Sequence, residues 1–336
     1  MSVVVVGKGP RLLLAGGVLS ALLALQPLVR DRERQAQAQA PSTLSLAYLE
    51  SSIAWRPADD RLRAAAVERL LAAGSFARAR ELLEPLLGRG GIDAQLLRVE
   101  LDRAELFASA VAQREPARSR LRRDVRQIQR ARLSPLQAER LAQVCTETEL
   151  APEAALILDE LARRPLPDFE RHVTRADRAY LAAAQPELSA ALHADWSERL
   201  GGSAGLAHAL LALERMQAAR SARAALALFQ HLRPRWPSDP AWLEAGLALA
   251  EASDPRIAYE LALALVRVQP WQTEHHRRLM RSALWLGEGL RALDEALWLA
   301  RHDGRRADID RALELARAQW DLRAVRELRQ LTRLRR

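Results

Sequence analysis

Apolar residues recur at intervals of three and four along most of the chain, the spacing that places them on one face of an α-helix. Two stripes between residues 93 and 133 predict two long helices there. Their members are Leu97, Leu101, Ala104, Phe107 and Val111, followed by Leu121, Val125 and Ile128. β-Branched residues are sparse after Val6, which argues against sheets. The pattern therefore predicts an all-α protein.

The amino terminus has a different pattern, because residues 12–29 contain no charged side chain. A helix of that length measures about 27 Å, close to the minimum that crosses a bilayer. We expect an uncleaved transmembrane helix here. A cleaved signal peptide, with its site among the alanines at 36–40, and a buried soluble helix are the alternatives. The basic residues on the two sides of the segment are nearly balanced, so they leave the topology open.

This interpretation divides the chain into three parts. Residues 1–35 form a membrane anchor, residues 36–42 a linker, and residues 43–336 a helical repeat region. The predicted localisation is a membrane that the chain crosses once.

Self-comparison shows a repeat of 34 residues. Alanine recurs at this interval at positions 190, 224, 258 and 292, and the series extends to Ala154 and Ala324 with spacings of 36 and 32. Small residues at fixed positions let paired helices approach closely, and Gly246 and Ala258 are predicted to lie at such contacts. Each unit has too few apolar residues for its own core, so neighbouring units must stack.

Composition adds charge to this picture. The chain has 51 basic and 42 acidic residues, a net charge of +9, and the two signs are interspersed, which is typical of solvated helix faces. One predicted helix concentrates arginine, including Arg118, Arg122 and Arg126. It is either a degenerate repeat with a solvated face or a binding patch for an acidic partner. No aromatic residues interleave these arginines, which argues against nucleic acid.

Motifs for chemistry are weak. Residues 201–205 fit G-x-S-x-G, but their flanks are helical, and Ser203 is better interpreted as a helix N-cap. His275 and His276 are adjacent and would point about 100° apart on a helix, so they are poor metal co-ligands. Cys145 lies on an apolar stripe. We therefore predict no catalytic residue, no cofactor, no metal and no enzymatic activity.

The repeat region resembles the tetratricopeptide repeat family. The unit with the best match has Trp242, Gly246, Ala258, Leu265 and Pro270 at the family's characteristic positions. The resemblance implies a tetratricopeptide-like α-solenoid of antiparallel helix pairs, whose groove binds peptides or partner domains. Candidate groove residues on the first helices of two units are Glu244, Arg277 and Arg281.

The chain also resembles the start of the repeat-bearing export protein for Pel-type exopolysaccharide. The resemblance rests on the predicted membrane helix that ends in Arg30-Asp31-Arg32-Glu33-Arg34, followed by Leu44-Ser45-Leu46-Ala47-Tyr48-Leu49 and Arg56-Pro57-Ala58-Asp59-Asp60. It implies a scaffold for protein–protein interactions in a bacterial envelope assembly, anchored in the inner membrane with its repeat region in the periplasm. The alternative is a cytoplasm-facing protein that binds nucleic acid or another acidic polymer through its arginine-rich helix.

Overall fold

A computed structural model describes residues 43–129, 132–165 and 167–334, and in them we find seventeen α-helices and no strand. The helices are α1 (Thr43–Trp55), α2 (Asp60–Ala72), α3 (Phe76–Leu87), α4 (Ile92–Ala108), α5 (Val111–Gln129), α6 (Pro135–Glu147), α7 (Ala151–Ala162), α8 (Phe169–Ala182), α9 (Pro186–Leu200), α10 (Gly202–Ala218), α11 (Ala222–Leu232), α12 (Pro240–Ala250), α13 (Pro255–Val268), α14 (Thr273–Trp285), α15 (Gly289–His302), α16 (Arg306–Ala318) and α17 (Leu322–Leu334). The predicted all-α fold is confirmed.

The chain divides into two compact units at His172 and Val173. In the first unit α2 packs on α3, α4 on α5, and α6 on α7. In the second unit α12 packs on α13, α14 on α15, and α16 on α17. Within each unit successive pairs also contact one another, which is the solenoid-like arrangement that the repeats predict.

The turn inside most helix pairs contains one residue in the left-handed region, followed by the second helix. These residues are Gly74, Glu149, Ala184, Arg220, Gly287 and Trp320, with φ between 54° and 80°. In the first of these turns the amides of Gly74 and Ser75 donate to the carbonyl oxygens of Leu71 and Leu70. This bonding satisfies the last carbonyl groups of the first helix, and it stops that helix at a fixed point.

Side-chain caps start several helices. Asp239 accepts a hydrogen bond from the amide of Trp242 at 3.0 Å, and Pro240 follows it in the first turn. Ser134 and Gln137 form a reciprocal capping box at the start of α6. In both helices the N-cap residue is followed by proline at the first helical position, a pair that is typical of a helix start.

Small residues do pack between helices, but the register differs from a strict 34-residue spacing. Ala258 and Ala292 are fully buried as predicted, whereas Ala224 is only partly buried and Ala225 is fully buried in its place. The left-handed turn residue explains the shift, because Ala225 follows Arg220 by five positions. The same spacing separates Gly74 from Ala79, Glu149 from Ala154 and Gly287 from Ala292. When the turn begins one residue later, every residue of the second helix moves by one position relative to the 34-residue repeat.

A hydrophobic cluster in the second unit surrounds Trp242, which is fully buried. Its ring stacks on Phe229 with centroids 4.9 Å apart, and Trp236 meets it edge-on at 5.6 Å. Gly246 lies one turn further along α12, and a Cβ atom added there would overlap the ring of Phe229. The predicted close approach of two helices at Gly246 is therefore confirmed.

The two long helices predicted between residues 93 and 133 are present as α4 and α5. Their break at Ser109 and Ala110 was not predicted. Phe107 and Val111, expected in one apolar stripe, are 58% and 79% exposed because they flank this break. The prediction that they belong to the core is wrong.

The predicted localisation needs a correction. Among the helices at 43–129, 132–165 and 167–334, none is both long enough and apolar enough to cross a bilayer. This finding contradicts the expectation of a single-pass inner-membrane protein. The segment predicted to cross the membrane, residues 12–29, lies outside the residues that the structure describes.

Candidate partner-binding surface

The first helices of successive pairs in the second unit are joined by charged contacts. Asp177 on α8 binds Arg215 on α10, with distances of 3.0 and 3.2 Å from the guanidinium to its two oxygens. Further along the chain, α12 is joined to α14, and α14 to α16, by the pairs described below. Two series of charged contacts therefore connect first helices, one from α8 to α10 and one from α12 through α14 to α16.

The contact between α8 and α10 continues into a buried network. Asp177 also accepts a hydrogen bond from Ser189, and His193 lies 3.5 Å from it. Burial alone would raise the pKa of Asp177, but hydrogen bonds from His193, Arg215 and Ser189 outweigh it and hold that pKa well below its usual range. The second ring nitrogen of His193 meets His208 at 2.9 Å. Asp177 therefore stays ionised and ties three helices together.

Glu244, a predicted site residue, lies on α12 with half of its side chain exposed, and its carboxylate is 3.0 Å from Nε2 of His275 on α14. Two turns further, Glu251 forms two hydrogen bonds of 2.8 Å to Arg278. The Arg278 guanidinium lowers the pKa of Glu251, and Glu251 raises the pKa of Arg278. These pairs hold α12 against α14. The carboxylate of Glu244 takes part in one of them and is still half exposed to solvent.

Arg277 and Arg281 were predicted to lie on one face of α14, but their surroundings differ. Arg277 is only 19% exposed and binds Asp303 and Asp308, which come from the loop before α16 and from α16 itself. These hydrogen bonds raise its pKa further. Arg281 is 62% exposed, and it is 3.3 Å from the equally exposed Glu274 of its own helix. Arg277 joins two helices, whereas Arg281 faces solvent.

The arginine-rich helix α5 has its three predicted site residues in one stripe. Arg118 lies 3.0 Å from Glu149, and Arg126 and Arg122 lie 2.9 and 3.7 Å from the buried carboxylate of Glu153. Both glutamates belong to the start of a neighbouring helix, at the turn before α7 and in its first turn. This stripe therefore contacts the protein's own acidic residues.

The adjacent histidines have different partners, as expected from their positions on a helix. His276 contacts Glu295 at 2.5 Å and the carbonyl oxygen of Pro270 at 2.9 Å, while His275 contacts Glu244. The ring of His276 stacks on Trp298 with centroids 3.5 Å apart. Within the part of the chain that the structure describes, no group of three metal-ligating side chains is found.

Two other predicted positions are now placed. Cys145 is fully buried, and burial raises the pKa of its thiol to about 12, so the reactive thiolate is scarce at neutral pH. Ser203 lies in the first turn of α10, but it is not an N-cap, because α10 already begins at Gly202 and Gly201 occupies the cap position. The helical flanks predicted around this serine are confirmed.

Sequence reasoning did not find the buried Asp177 network or the carboxylates that bind Arg277. The only sequence signals were isolated polar residues within apolar stripes, such as Asp177 and His193. A lone polar residue does not reveal its partner 38 positions away, as Arg215 is.

Comparison with known proteins gave structural likeness alone. No family model matches the chain, and no curated protein matches its sequence. Similar solved structures include the Naa15/Naa10 complex bound to HypK-THB (13% identity, TM-score 0.33, 88% of this chain and 50% of that one). Others are the tetratricopeptide domain of P58(IPK) (12% identity, TM-score 0.24, 92% of this chain and 99% of that one) and a circular tandem repeat protein (16% identity, TM-score 0.21, 85% of this chain and 63% of that one). The chain thus spans half of the Naa15 complex chain that it matches.

Proposed function

We propose that the protein is a non-catalytic scaffold that binds protein partners through the polar face of α12, α14 and α16. The observation that carries this proposal is the series of charged contacts along these helices, which fixes their exposed side chains relative to one another. A face held in this way loses little conformational entropy when a partner binds.

Arg281 and Glu244 are the residues of this face that are available to a partner. The bridge between Arg281 and Glu274 is exposed on both sides, and such bridges contribute about 0–1 kcal/mol. Arg281 can therefore exchange Glu274 for a carboxylate of the partner at little cost. Arg277 is engaged by two partly buried aspartates, so its role is to join α14 to α16.

The proposal is tested with the charge reversal Arg281→Glu, using tagged full-length protein to capture partners from extracts of the native host. The matched control is Arg256→Glu on α13, because Arg256 is also exposed and also pairs with one exposed glutamate, Glu260. We expect Arg281→Glu to lose an acidic partner that the wild type and Arg256→Glu both retain. The same set of captured proteins for all three would contradict the proposal.

Two narrower roles stay predictions. A place in exopolysaccharide export has its support in the sequence resemblance of residues 44–60. Binding of an acidic polymer by α5 would require Arg118, Arg122 and Arg126 to leave Glu149 and Glu153, which makes this surface the weaker candidate.

A further inference from the structure

Exposed apolar side chains cluster at two turns of the second unit, 286–288 and 319–321. Of the fifteen large apolar side chains that are exposed among the described residues, five lie in these turns or next to them. We call these five the turn patch, and they are Trp285, Leu286, Leu290, Trp320 and Leu322. Single exposed apolar residues are ordinary on a protein surface, whereas a cluster of several hundred Å² marks an interaction site.

The two turns lie against each other. Turn 286–288 joins α14 to α15 and turn 319–321 joins α16 to α17, so they belong to successive helix pairs. Gly289, which follows the first turn, is so close to Gln319 that a Cβ atom added to the glycine would overlap the side-chain amide. Leu290 and Trp320 are the next residues along the chain on the two sides of this contact. The two halves of the turn patch therefore adjoin.

The area of the turn patch fits the centre of a dimer interface. Its two tryptophans and three leucines expose on the order of 500 Å² of apolar surface, since one full tryptophan side chain offers about 150–250 Å². A specific interface covers about 800 Å² on each partner, with an apolar centre and a polar rim. The turn patch supplies the centre, and the polar side chains around it supply the rim.

The rim of the turn patch has charges of both signs. Glu288 lies in the first turn and Arg323 follows the second; both are exposed, and neither forms an ion pair with another described residue. Asp321 adds a carboxylate in the second turn, where it caps α17. An anionic lipid surface would be repelled by these carboxylates, whereas a second copy of the turn patch offers each charge its opposite.

We propose that the turn patch is a homodimer interface, in which two copies of the chain meet about a two-fold axis. The first turn of each copy lies on the second turn of the other, and every contact occurs twice. At the apolar centre, Leu290 of one copy packs on Trp320 of the other. At the rim, Glu288 of one copy faces Arg323 of the other.

Sedimentation velocity of the full chain over a range of concentrations tests the apolar centre. Trp320→Ser and Leu290→Ser should each raise the dissociation constant of the dimer at least about tenfold, because central apolar side chains dominate the energy of an interface. Both variants should fold normally, since the two side chains are exposed. The control is Trp55→Ser on α1 in the first unit, because Trp55 is 87% exposed and Trp320 is 86% exposed.

A charge exchange tests the two-fold arrangement. Glu288→Arg alone and Arg323→Glu alone each place like charges opposite one another, so each should weaken the dimer. The double variant restores opposite charges on both sides of the axis and should recover the association of the wild type. Arg281→Glu, the variant that tests the polar face, changes no residue of the turn patch and should leave the dimer intact, so the two proposals can fail separately.

A wild-type chain that stays monomeric up to roughly 100 µM would overturn the dimer. Self-association that Trp320→Ser and Leu290→Ser leave unchanged, or that Trp55→Ser weakens equally, would overturn it as well. A double charge variant as weak as its two single variants would overturn the two-fold pairing. Trp320-dependent binding to phosphatidylglycerol vesicles without self-association would assign the turn patch to a lipid surface and overturn the proposal.

Discussion

At the scale of single residues, Gly246 shows how closely two helices approach. Its missing side chain leaves room for the ring of Phe229, which itself stacks on Trp242. We expect Gly246→Ala to lower the free energy of unfolding by about 1–3 kcal/mol, because the buried ring has no space in which to move. Urea denaturation measures this change. Ala248→Ser, at an exposed position of the same helix, should alter it by less than about 0.5 kcal/mol.

Burial, and then the hydrogen bond and charge of Asp124, raise the pKa of Asp102 on α4, and this raised pKa predicts how the stability of the fold depends on pH. Its pKa is about 7 in the folded protein against 3.8 in the unfolded chain, so between these values the folded state holds a proton that the unfolded state has lost. Its contribution to stability is thus complete below about pH 3.8 and disappears as the pH rises through 7. Asparagine imitates the protonated form. Asp102→Asn should therefore be more stable than the wild type in urea denaturation, and by more at pH 8 than at pH 5; the same difference at both pH values would contradict the shift.

Residue types in the sequence reveal some of these positions and hide others. Ala258 and Gly246 were predictable because a small residue within an otherwise large apolar stripe usually marks the point where two helices touch. The raised pKa of Asp102 was not predictable, because it depends in part on Asp124 from another helix. No spacing in the sequence indicates that these two residues lie together.

At the scale of elements, several turns inside the helix pairs place a non-glycine residue in the left-handed region, where a glycine would relieve backbone strain. Ala184 has φ = 54°, and a left-handed conformation costs an alanine about 1 kcal/mol relative to glycine. We expect Ala184→Gly to raise the free energy of unfolding by about 0.5–1 kcal/mol in urea denaturation. Ala183→Gly in the same turn is the control and should leave stability unchanged or lower it, because the backbone there has an ordinary negative φ.

Arg277 stabilises the contact between two elements, because it lies on α14 and binds Asp303 and Asp308. Removing this side chain would leave the largely buried Asp308 without its cation and Asp303 with Arg305 alone. We expect Arg277→Ala to cost about 1–3 kcal/mol in thermal or urea unfolding, and Arg281→Ala less than about 0.5 kcal/mol. Equal effects would show that α14 and α16 are not joined by this arginine.

The register of the elements was predicted only in part, for a physical reason. A left-handed turn is recognisable in a sequence when it contains glycine, as at Gly74 and Gly287, but Glu149, Arg220 and Trp320 occupy the same conformation without any such signal. The turn at Arg220 therefore could not be predicted, and the 34-residue series indicates Ala224 where the fully buried residue is Ala225.

At the scale of the whole molecule, stacked helix pairs transmit damage mainly to their neighbours. The chain consists of two compact units, and Gly246 lies in the second. Hydrogen exchange of the Gly246→Ala protein should therefore accelerate most in α11 to α13 and least in α2 to α4. A uniform acceleration from α1 to α17 would mean that the array unfolds as a single cooperative block.

The fixed turns also decide where the chain tolerates insertion. The connections within pairs are almost all of one length, three residues, as at 73–75, 219–221 and 286–288, and each holds the following helix in register. The connections between pairs range from the single residue Gly201 to the seven residues at 233–239. A protein engineer who wishes to add an epitope tag or a protease site would accordingly choose the connection at 88–91, whose residues are all exposed. The longer connection at 233–239 is less suitable, because Trp236 packs on Trp242 and Asp239 caps α12.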